Sequence, residues 1–213
     1  MKTILLTIFI LAQQQNFAVD PLEFPDCLPR WDRKLKPVNP AHRLEDIKHY
    51  RALLKTVKAK TDREKLLHRL AVNYYQEYEA TKKKEYLAQS IKILQKLIQD
   101  HPAYNKLGEV YLLFGEALWS SGRDKQALKI FKMFIKNYPQ DPESTRAFMF
   151  FAEYFFKREQ YQMALKMFAK AESFGESEYS YCLCHRVAYC HYKLGDERQA
   201  VEWLNKANEF RKK

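Results

Sequence analysis

Apolar residues along this chain recur at helical spacing, and no segment shows the sustained two-residue alternation of a strand. Alanine, leucine, lysine, glutamate and glutamine dominate long stretches, while glycine occurs only 5 times in 213 residues. The first group favours helices, and scarce glycine leaves few flexible loops. The pattern predicts an all-α fold that is more than half helical.

The helical pattern repeats along the chain, a property that decides the fold when it is present. Three similar segments align at 109–134, 146–171 and 182–207. They share an alanine at Ala127, Ala164 and Ala200. Small residues at such positions let two antiparallel helices approach closely, while large apolar residues flank the contact. We therefore expect helical hairpins in which these three alanines are buried where the helices cross.

Four hairpins and one additional helix account for residues 41–213. The hairpins are predicted near 63–100, 108–140, 145–177 and 181–213, the first as a stretched copy. The additional helix, at about 41–59, places Leu44, Ile47, Leu54 and Val57 on one stripe. Hairpins of this kind cannot bury their apolar faces alone, so they must stack into a solenoid.

The recurring order of small, leucine or phenylalanine, alanine and aromatic residues resembles the tetratricopeptide repeat (TPR) over about 63–210. The sequence departs from that family in a period above the usual ~34, in a missing proline after the third unit and in His191, where tyrosine or leucine is expected. The resemblance implies a right-handed superhelical solenoid that binds a protein partner in its concave groove. The long units with YP-x-DP linkers are similar to those of periplasmic accessory proteins of outer-membrane assembly and the Tol–Pal system.

The resemblance also implies which residues face the groove, because the first helix of each hairpin lines it. One row is aromatic in all four hairpins: Tyr75, Trp119, Phe156 and Tyr192. A second row is His68, Leu112, Met149 and His185, and a third is Val72, Glu116, Glu153 and Tyr189. Aromatic anchors beside polar groups suit an extended peptide or a partner helix, and the two glutamates favour a basic one. The alternative is that the aromatic row serves packing only.

Soft metal ligands are dense at 181–196, which holds Cys182, Cys184 and Cys190 together with two histidines. Helical spacing argues against a metal site. Cys184 and His191 share a face but lie about 10.5 Å apart along the helix, whereas zinc ligands lie about 2.0–2.3 Å from the ion. Covalent haem attachment needs two residues between the cysteines before the histidine, and only one is present here. We expect buried cysteines, with no metal and no cofactor.

Catalytic motifs are missing from the sequence, which contains no HExxH, no GxSxG and no glycine-rich phosphate loop. Five glycines also leave little room for loops that approach a ligand closely. The sequence therefore predicts a protein that is not an enzyme.

The N-terminus predicts export. A positive start, an apolar run at 3–12 and a small residue at Ala18 indicate a secretory signal peptide at 1–18. The run spans only ~15 Å as a helix, which is too short for a membrane anchor. No cysteine follows at the cleavage point, so we expect a soluble periplasmic protein without a lipid anchor; the alternative is an apolar helix that stays attached. Five prolines predict an extended segment at 19–40, in which Cys27 could form a disulfide with the fourth hairpin.

Positive charge suggests a further surface. The formal net charge is +11, and the stretch from Arg30 to Arg69 is strongly basic. After export the anionic candidates are lipid headgroups, cell-wall polymers or an acidic protein, and a solvated helix face is the simplest alternative. The sequence thus predicts a non-catalytic interaction module of the bacterial cell envelope, in weak contact with an anionic surface and without nucleic acid. The alternative is a cytoplasmic TPR-like protein that binds nucleic acid or another polyanion through this basic region.

The last predicted helix, at about 196–210, carries Val201, Trp203, Leu204 and Phe210. Repeat stacks usually finish with a helix whose outer face is polar, and an uncovered apolar patch usually marks an interface. We therefore expect self-association or docking through Trp203 and Phe210. The alternative is that the stems of Lys206 and Arg211 shield Trp203.

Overall fold

The computed structural model describes residues 40–212, with side chains from His42 to Phe210. These residues form nine helices and, within that range, no strand. The helices are α1 (Pro40–Thr56), α2 (Lys60–Thr81), α3 (Lys84–Asp100), α4 (Leu107–Ser120), α5 (Asp124–Asn137), α6 (Ser144–Phe156), α7 (Tyr161–Glu172), α8 (Ser180–Lys193) and α9 (Glu197–Lys212). The expected all-α fold is confirmed.

Three predictions for the N-terminal part of the chain lie outside the described residues. They are the signal peptide at 1–18, the extended segment before Pro40 and the disulfide of Cys27. Among the helices from α1 to α9, none combines the length and the apolar character that crossing a membrane requires.

The described helices belong to two compact units, one that ends at Ser177 and one that begins at Glu178. In the first unit α2 pairs with α3, α4 with α5, and α6 with α7, while α1 packs against α2. The pairs also pack in chain order, α3 against α4 and α5 against α6. The second unit is the pair α8 and α9. The four expected hairpins and the helix that precedes them are therefore confirmed.

Small residues lie at the crossing of each hairpin. Ala127, Ala164 and Ala200 are all buried, as the repeat predicts. In the first hairpin the matched residue is Ser90, whose hydroxyl donates a 2.9 Å hydrogen bond to the backbone carbonyl of Ala71. This bond satisfies a hydroxyl that would otherwise be buried at a cost of free energy.

The turn inside each hairpin contains one residue in the left-handed region. These residues are Lys82 (φ 56°), Gly122 (φ 77°), Glu159 (φ 58°) and Gly195 (φ 82°). A left-handed residue reverses the chain directly after a helix, and glycine adopts it without steric cost. Two hairpins use glycine there, whereas the other two place a charged side chain in the same conformation.

The side chains that α1 buries differ in part from those predicted. Ile47 is buried and Leu54 half-buried, but Leu44 is 44% exposed. The helix also ends at Thr56, three residues before the predicted end. The predicted stripe is therefore wrong at Leu44.

Arg43 explains the change, because its side chain points inward where an apolar residue was expected. Its Nη1 donates to the backbone carbonyl of Gln76 at 3.1 Å and to Oε2 of Glu77 at 3.3 Å. Both charged side chains are buried. Because long aliphatic stems pack well on apolar surfaces, an arginine with paired donors can take such a position.

Gly115 marks a close approach between α4 and α5. A Cβ added at this glycine would lie 2.4 Å from Cε1 of Phe131, far inside van der Waals contact. The ring of Phe131 is fully buried and stacks on that of Phe150, with 4.6 Å between centroids. Because the Phe131 ring packs against Phe150 in a dense core, it cannot move away from an added Cβ without a cost in free energy.

We expect Gly115→Ala to lower the free energy of unfolding by about 1–2 kcal/mol, because overpacking outweighs the gain in helix propensity. Gly108→Ala, on the same helix, is the matched control. A Cβ there meets no side-chain atom closer than 3.5 Å, so this variant should gain up to about 1 kcal/mol. Denaturant unfolding followed by circular dichroism measures both. Equal effects of the two substitutions would contradict the tight crossing at Gly115.

Candidate functional site

The aromatic row divides into two buried and two half-buried residues. Tyr75 and Trp119 are buried, whereas Phe156 and Tyr192 are half-buried. The Phe156 ring contacts that of Tyr161 edge to face at 5.9 Å, within the first unit. The Tyr192 ring lies 6.4 Å from that of Tyr189, within the second unit. Because they retain exposed surface, Phe156 and Tyr192 are the members of the row that a partner can reach.

Tyr75 and Trp119 are engaged within the first unit. The hydroxyl oxygen of Tyr75 lies 3.2 Å from Oγ of Ser120. Burial, and then the charges of Glu116 and Glu79, raise the pKa of Tyr75 well above its ordinary value. The Trp119 ring packs edge to face on Phe150 at 5.3 Å between centroids. These contacts favour packing as the role of both residues, and a partner-binding role for them stays a prediction.

The second predicted row is mostly buried too. His68, Leu112 and Met149 are buried, and Leu112 belongs to the apolar core of the first unit. Only His185, in α8, is half-buried, with its ring 4.7 Å from that of Tyr181. Membership of a repeat row therefore does not make a residue accessible, because the row defines a direction from the helix and not what lies there.

Glu116 and Glu153 were expected to attract a basic segment, but both carboxylates are buried. Glu116, in α4, forms an ion pair with the fully buried Arg146 of α6. Nη1 of Arg146 also lies 3.7 Å from Oε2 of Glu143. An internal cation thus already compensates Glu116, which removes the electrostatic reason for a basic ligand at that residue. Arg146 was missed in the sequence, since nothing local marks it as the partner of a glutamate thirty positions earlier.

His68 lies in a small buried polar cluster between α2 and the linker before α4. Its Nδ1 lies 3.2 Å from the hydroxyl oxygen of Tyr104, and the two rings meet edge to face at 5.7 Å. Nearby, Nδ1 of His101 lies 3.0 Å from Oε1 of Glu64. Burial lowers the pKa of His68 from about 6.5 to about 4, opposed in part by the charge of Glu109. His68 is therefore neutral in the folded protein at neutral pH.

The cysteine-rich helix α8 buries its cysteines in part. Cys184 and Cys190 are buried, and Cys182 is half-buried. Across the described residues no three cysteine, histidine or acidic side chains are grouped closely enough to hold a metal ion. The expectation that the cluster binds no metal and no cofactor stays a prediction.

The basic N-terminal region uses part of its charge internally. Beside the buried Arg43, Arg63 donates from Nη1 to the backbone carbonyl of Leu54 at 3.1 Å. Two of its arginines therefore hold helices together. The alternative in which the region binds nucleic acid or another polyanion stays a prediction.

In α9 the structure places the ammonium of Lys206 4.4 Å from the centre of the Trp203 ring. Trp203 is half-buried, while Val201 is 39% exposed. The cation over the ring is the contact that the shielding alternative requires. Self-association through Trp203 and Phe210 stays a prediction.

Helix α6 carries further half-buried aromatic residues that the repeat rows do not contain. They are Phe148, Phe151, Tyr154 and Phe155. The dense run FMFFAEYFF is the signal that could have identified them. Together with Phe156 they make α6 the described first-unit helix with the largest number of half-buried aromatic residues, although Phe151 and Tyr154 also pack against the core.

Comparison with known proteins agrees with this architecture. Residues 106–141, which include α4 and α5, match the family model of the tetratricopeptide repeat. No curated protein sequence matches the chain significantly.

Several solved structures have a similar fold. The MamA RS-1 ArsTM double mutant superposes with a TM-score of 0.63 at 14% identity, over 81% of this chain and 86% of that chain. A crystal structure of MamA superposes with a TM-score of 0.59 at 16% identity, over 82% of this chain and 95% of that chain. A putative kinesin light chain with nearly identical TPR-like repeats, from Podosopora anserina, has a TM-score of 0.56 at 13% identity, over 80% of this chain and 88% of that chain.

At such identities the likeness concerns the fold alone. The finer likeness to periplasmic proteins of outer-membrane assembly or the Tol–Pal system finds no support in these comparisons. The chain thus carries a tetratricopeptide repeat at 106–141 and has the helical-hairpin fold of TPR-like proteins.

Proposed function

We propose that this protein is a non-catalytic scaffold that binds a segment of a partner protein along its first helices. The TPR match in the middle of the chain carries this proposal, because repeat proteins of this kind present stacked helices as extended binding surfaces. We further propose that it acts in the bacterial cell envelope after export, as periplasmic TPR accessory proteins do. The signal-like N-terminus supports that location.

The half-buried aromatic residues at matched repeat positions support a role of the first helices in binding. Phe156 in α6 and Tyr192 in α8 each combine a large apolar ring with exposed surface. Aromatic side chains with these properties dominate the binding energy of most protein interfaces. We propose that they anchor the partner segment, each within its own unit.

Partner capture from envelope extracts tests the proposal. We expect Phe156→Ala and Tyr192→Ala each to weaken capture of the same protein about 30-fold, since a truncated aromatic anchor typically costs about 2 kcal/mol. The matched controls are Met133→Ala and Met163→Ala, on second helices, whose side chains are 43% and 39% exposed. The amount captured, measured by quantitative mass spectrometry, should not change in the controls.

The melting temperature of each variant separates binding from folding. If all four variants stay folded and capture the partner equally well, the first helices are not its binding surface. If the full-length protein enriches no envelope protein at all, the scaffold proposal itself is wrong.

A further inference from the structure

The turns inside the three hairpins of the first unit lie side by side. Near the end of α2, the hydroxyl of Tyr78 donates to the backbone carbonyl of Ser120, the last residue of α4, at 3.4 Å. Directly after α6, Lys157 places its ammonium 4.9 Å from the centre of the Trp119 ring of α4. These contacts bring the C-terminal ends of the three first helices together. The turns that follow them, 82–83, 121–123 and 157–160, therefore share one edge, which we name the turn edge.

Positive charge is concentrated on the turn edge. Its cations are Lys82, Lys83, Arg123, Lys157 and Arg158, and its one carboxylate is that of Glu159. All five cations are exposed. The linkers between hairpins in the same unit, 101–106 and 138–143, instead carry one lysine and two carboxylates. The excess of cations thus belongs to the turns and not to connections in general.

The cations of the turn edge are held by aromatic rings more than by carboxylates. Lys82 lies over Tyr78 at 5.4 Å, Lys157 over Trp119 at 4.9 Å, and Arg158 over Tyr154 at 3.6 Å. Of these five cations, only Lys82 has a carboxylate oxygen of a described residue within 4.0 Å, that of Glu79 at 3.5 Å. A ring holds a cation in place without neutralising its charge. The charge of this edge therefore remains available to an external anion.

We infer that the turn edge docks on a membrane surface of anionic lipid headgroups. Such a surface attracts exposed cations without requiring a shaped pocket, and each cation near it contributes about 1 kcal/mol. Nucleic acid is less suited, because bases stack on accessible rings, whereas the three rings at this edge are buried or half-buried, and each already has a cation over it.

The inference rests on the proposed envelope function only in assuming that such lipids are within reach. It adds an orientation to that function, because docking through the turns leaves the linker side of the first unit pointing away from the membrane. A partner could then be held at a fixed height above the lipid surface.

Vesicle co-sedimentation of the full chain tests the inference directly. The probes are phosphatidylcholine vesicles with and without phosphatidylglycerol, at low and high salt. We expect binding only to the anionic vesicles and its loss at high salt, because salt screens exposed charges. The variant Lys83→Glu, Arg123→Glu, Lys157→Glu, with one change in each turn, should bind at least about 100-fold more weakly.

The matched control changes net charge equally but on the second helices, as Lys92→Glu, Lys129→Glu, Lys166→Glu, all at exposed positions. It should retain most of the binding, and both triple variants should keep the melting temperature of the parent. Equal loss in the two triple variants would overturn the inference, because net charge alone would then explain binding. The inference would also be overturned if the parent protein did not bind the vesicles but bound polyglutamate through these three cations, since the turn edge would then bind an acidic protein.

Failure of this inference is distinguishable from failure of the scaffold proposal. The vesicles contain no protein, and Phe156 and Tyr192, the partner anchors of the scaffold proposal, are unchanged in both triple variants. Loss of vesicle binding with intact partner capture therefore concerns the turn edge alone.

Discussion

Replacement of Arg146 by methionine is expected to lower the free energy of unfolding by about 3–5 kcal/mol. The guanidinium is fully buried and pairs with Glu116, which is buried as well. Without it, that carboxylate remains in a medium of low polarity while its compensating cation is gone. Because the pair joins α4 to α6, the first helices of adjacent hairpins, its loss should loosen the stacking of the hairpins and not only one helix.

The double variant Arg146→Met, Glu116→Leu is the informative control. Buried ion pairs that are replaced on both sides by apolar residues often lose little stability or gain some, since both desolvation costs disappear. We therefore expect the double variant to recover most of the loss. Urea unfolding of the parent, the two single variants and the double variant gives the coupling energy. A cost below about 1 kcal/mol for Arg146→Met would be typical of an exposed ion pair and would contradict the buried one described above.

Acidification should destabilise the protein through His68. Its pKa is about 4 in the folded protein and about 6.5 ordinarily, so the unfolded chain takes up the proton first. The contribution of neutral His68 to the free energy of unfolding is therefore complete above about pH 6.5. It falls as the pH drops towards 4 and does not change further below that value. At about 1.36 kcal/mol for each pH unit between the two pKa values, the loss of stability between pH 7 and pH 4.5 is about 2.4 kcal/mol.

The variant His68→Gln separates this effect from other titrations. Glutamine does not titrate in this range, and its amide can still form a hydrogen bond with the hydroxyl of Tyr104. Between pH 7 and pH 4.5 we expect the free energy of unfolding of the variant to fall by about 2.4 kcal/mol less than that of the parent, as measured by urea unfolding at both pH values. If the free energy of unfolding depended on pH in the same way in parent and variant, burial would not lower the pKa of His68 in the folded protein.

The fold could largely be predicted from sequence because its signals are local. Ala127, Ala164 and Ala200 recur at a nearly constant interval, and each lies where two helices of one hairpin cross. The additional helix was predicted less accurately. At Leu44 and Arg43 the apolar stripe gave the wrong inward-facing residue, because a paired arginine with a long stem competes with leucine for such a position.

The candidate site could be predicted only in part. A repeat position gives the direction of a side chain, but burial depends on what packs there, so Leu112 and Met149 are buried although they occupy groove positions. The pairing of Glu116 with Arg146 depends on two helices that are distant in sequence. The turn edge was missed for a different reason. Its cations lie in short separate turns, and only the stacking of hairpins brings them to one edge.

Site-specific photo-cross-linking tests the central claim, partner binding along the first helices, most directly. A photoreactive phenylalanine would replace Phe156 or Tyr192 on first helices, and Met133 or Met163 on second helices, in cells that produce the full-length protein. We predict that both first-helix probes form an adduct with the same protein, and that neither second-helix probe does. An adduct formed only from the second-helix probes, or with equal yield from all four, would contradict the account.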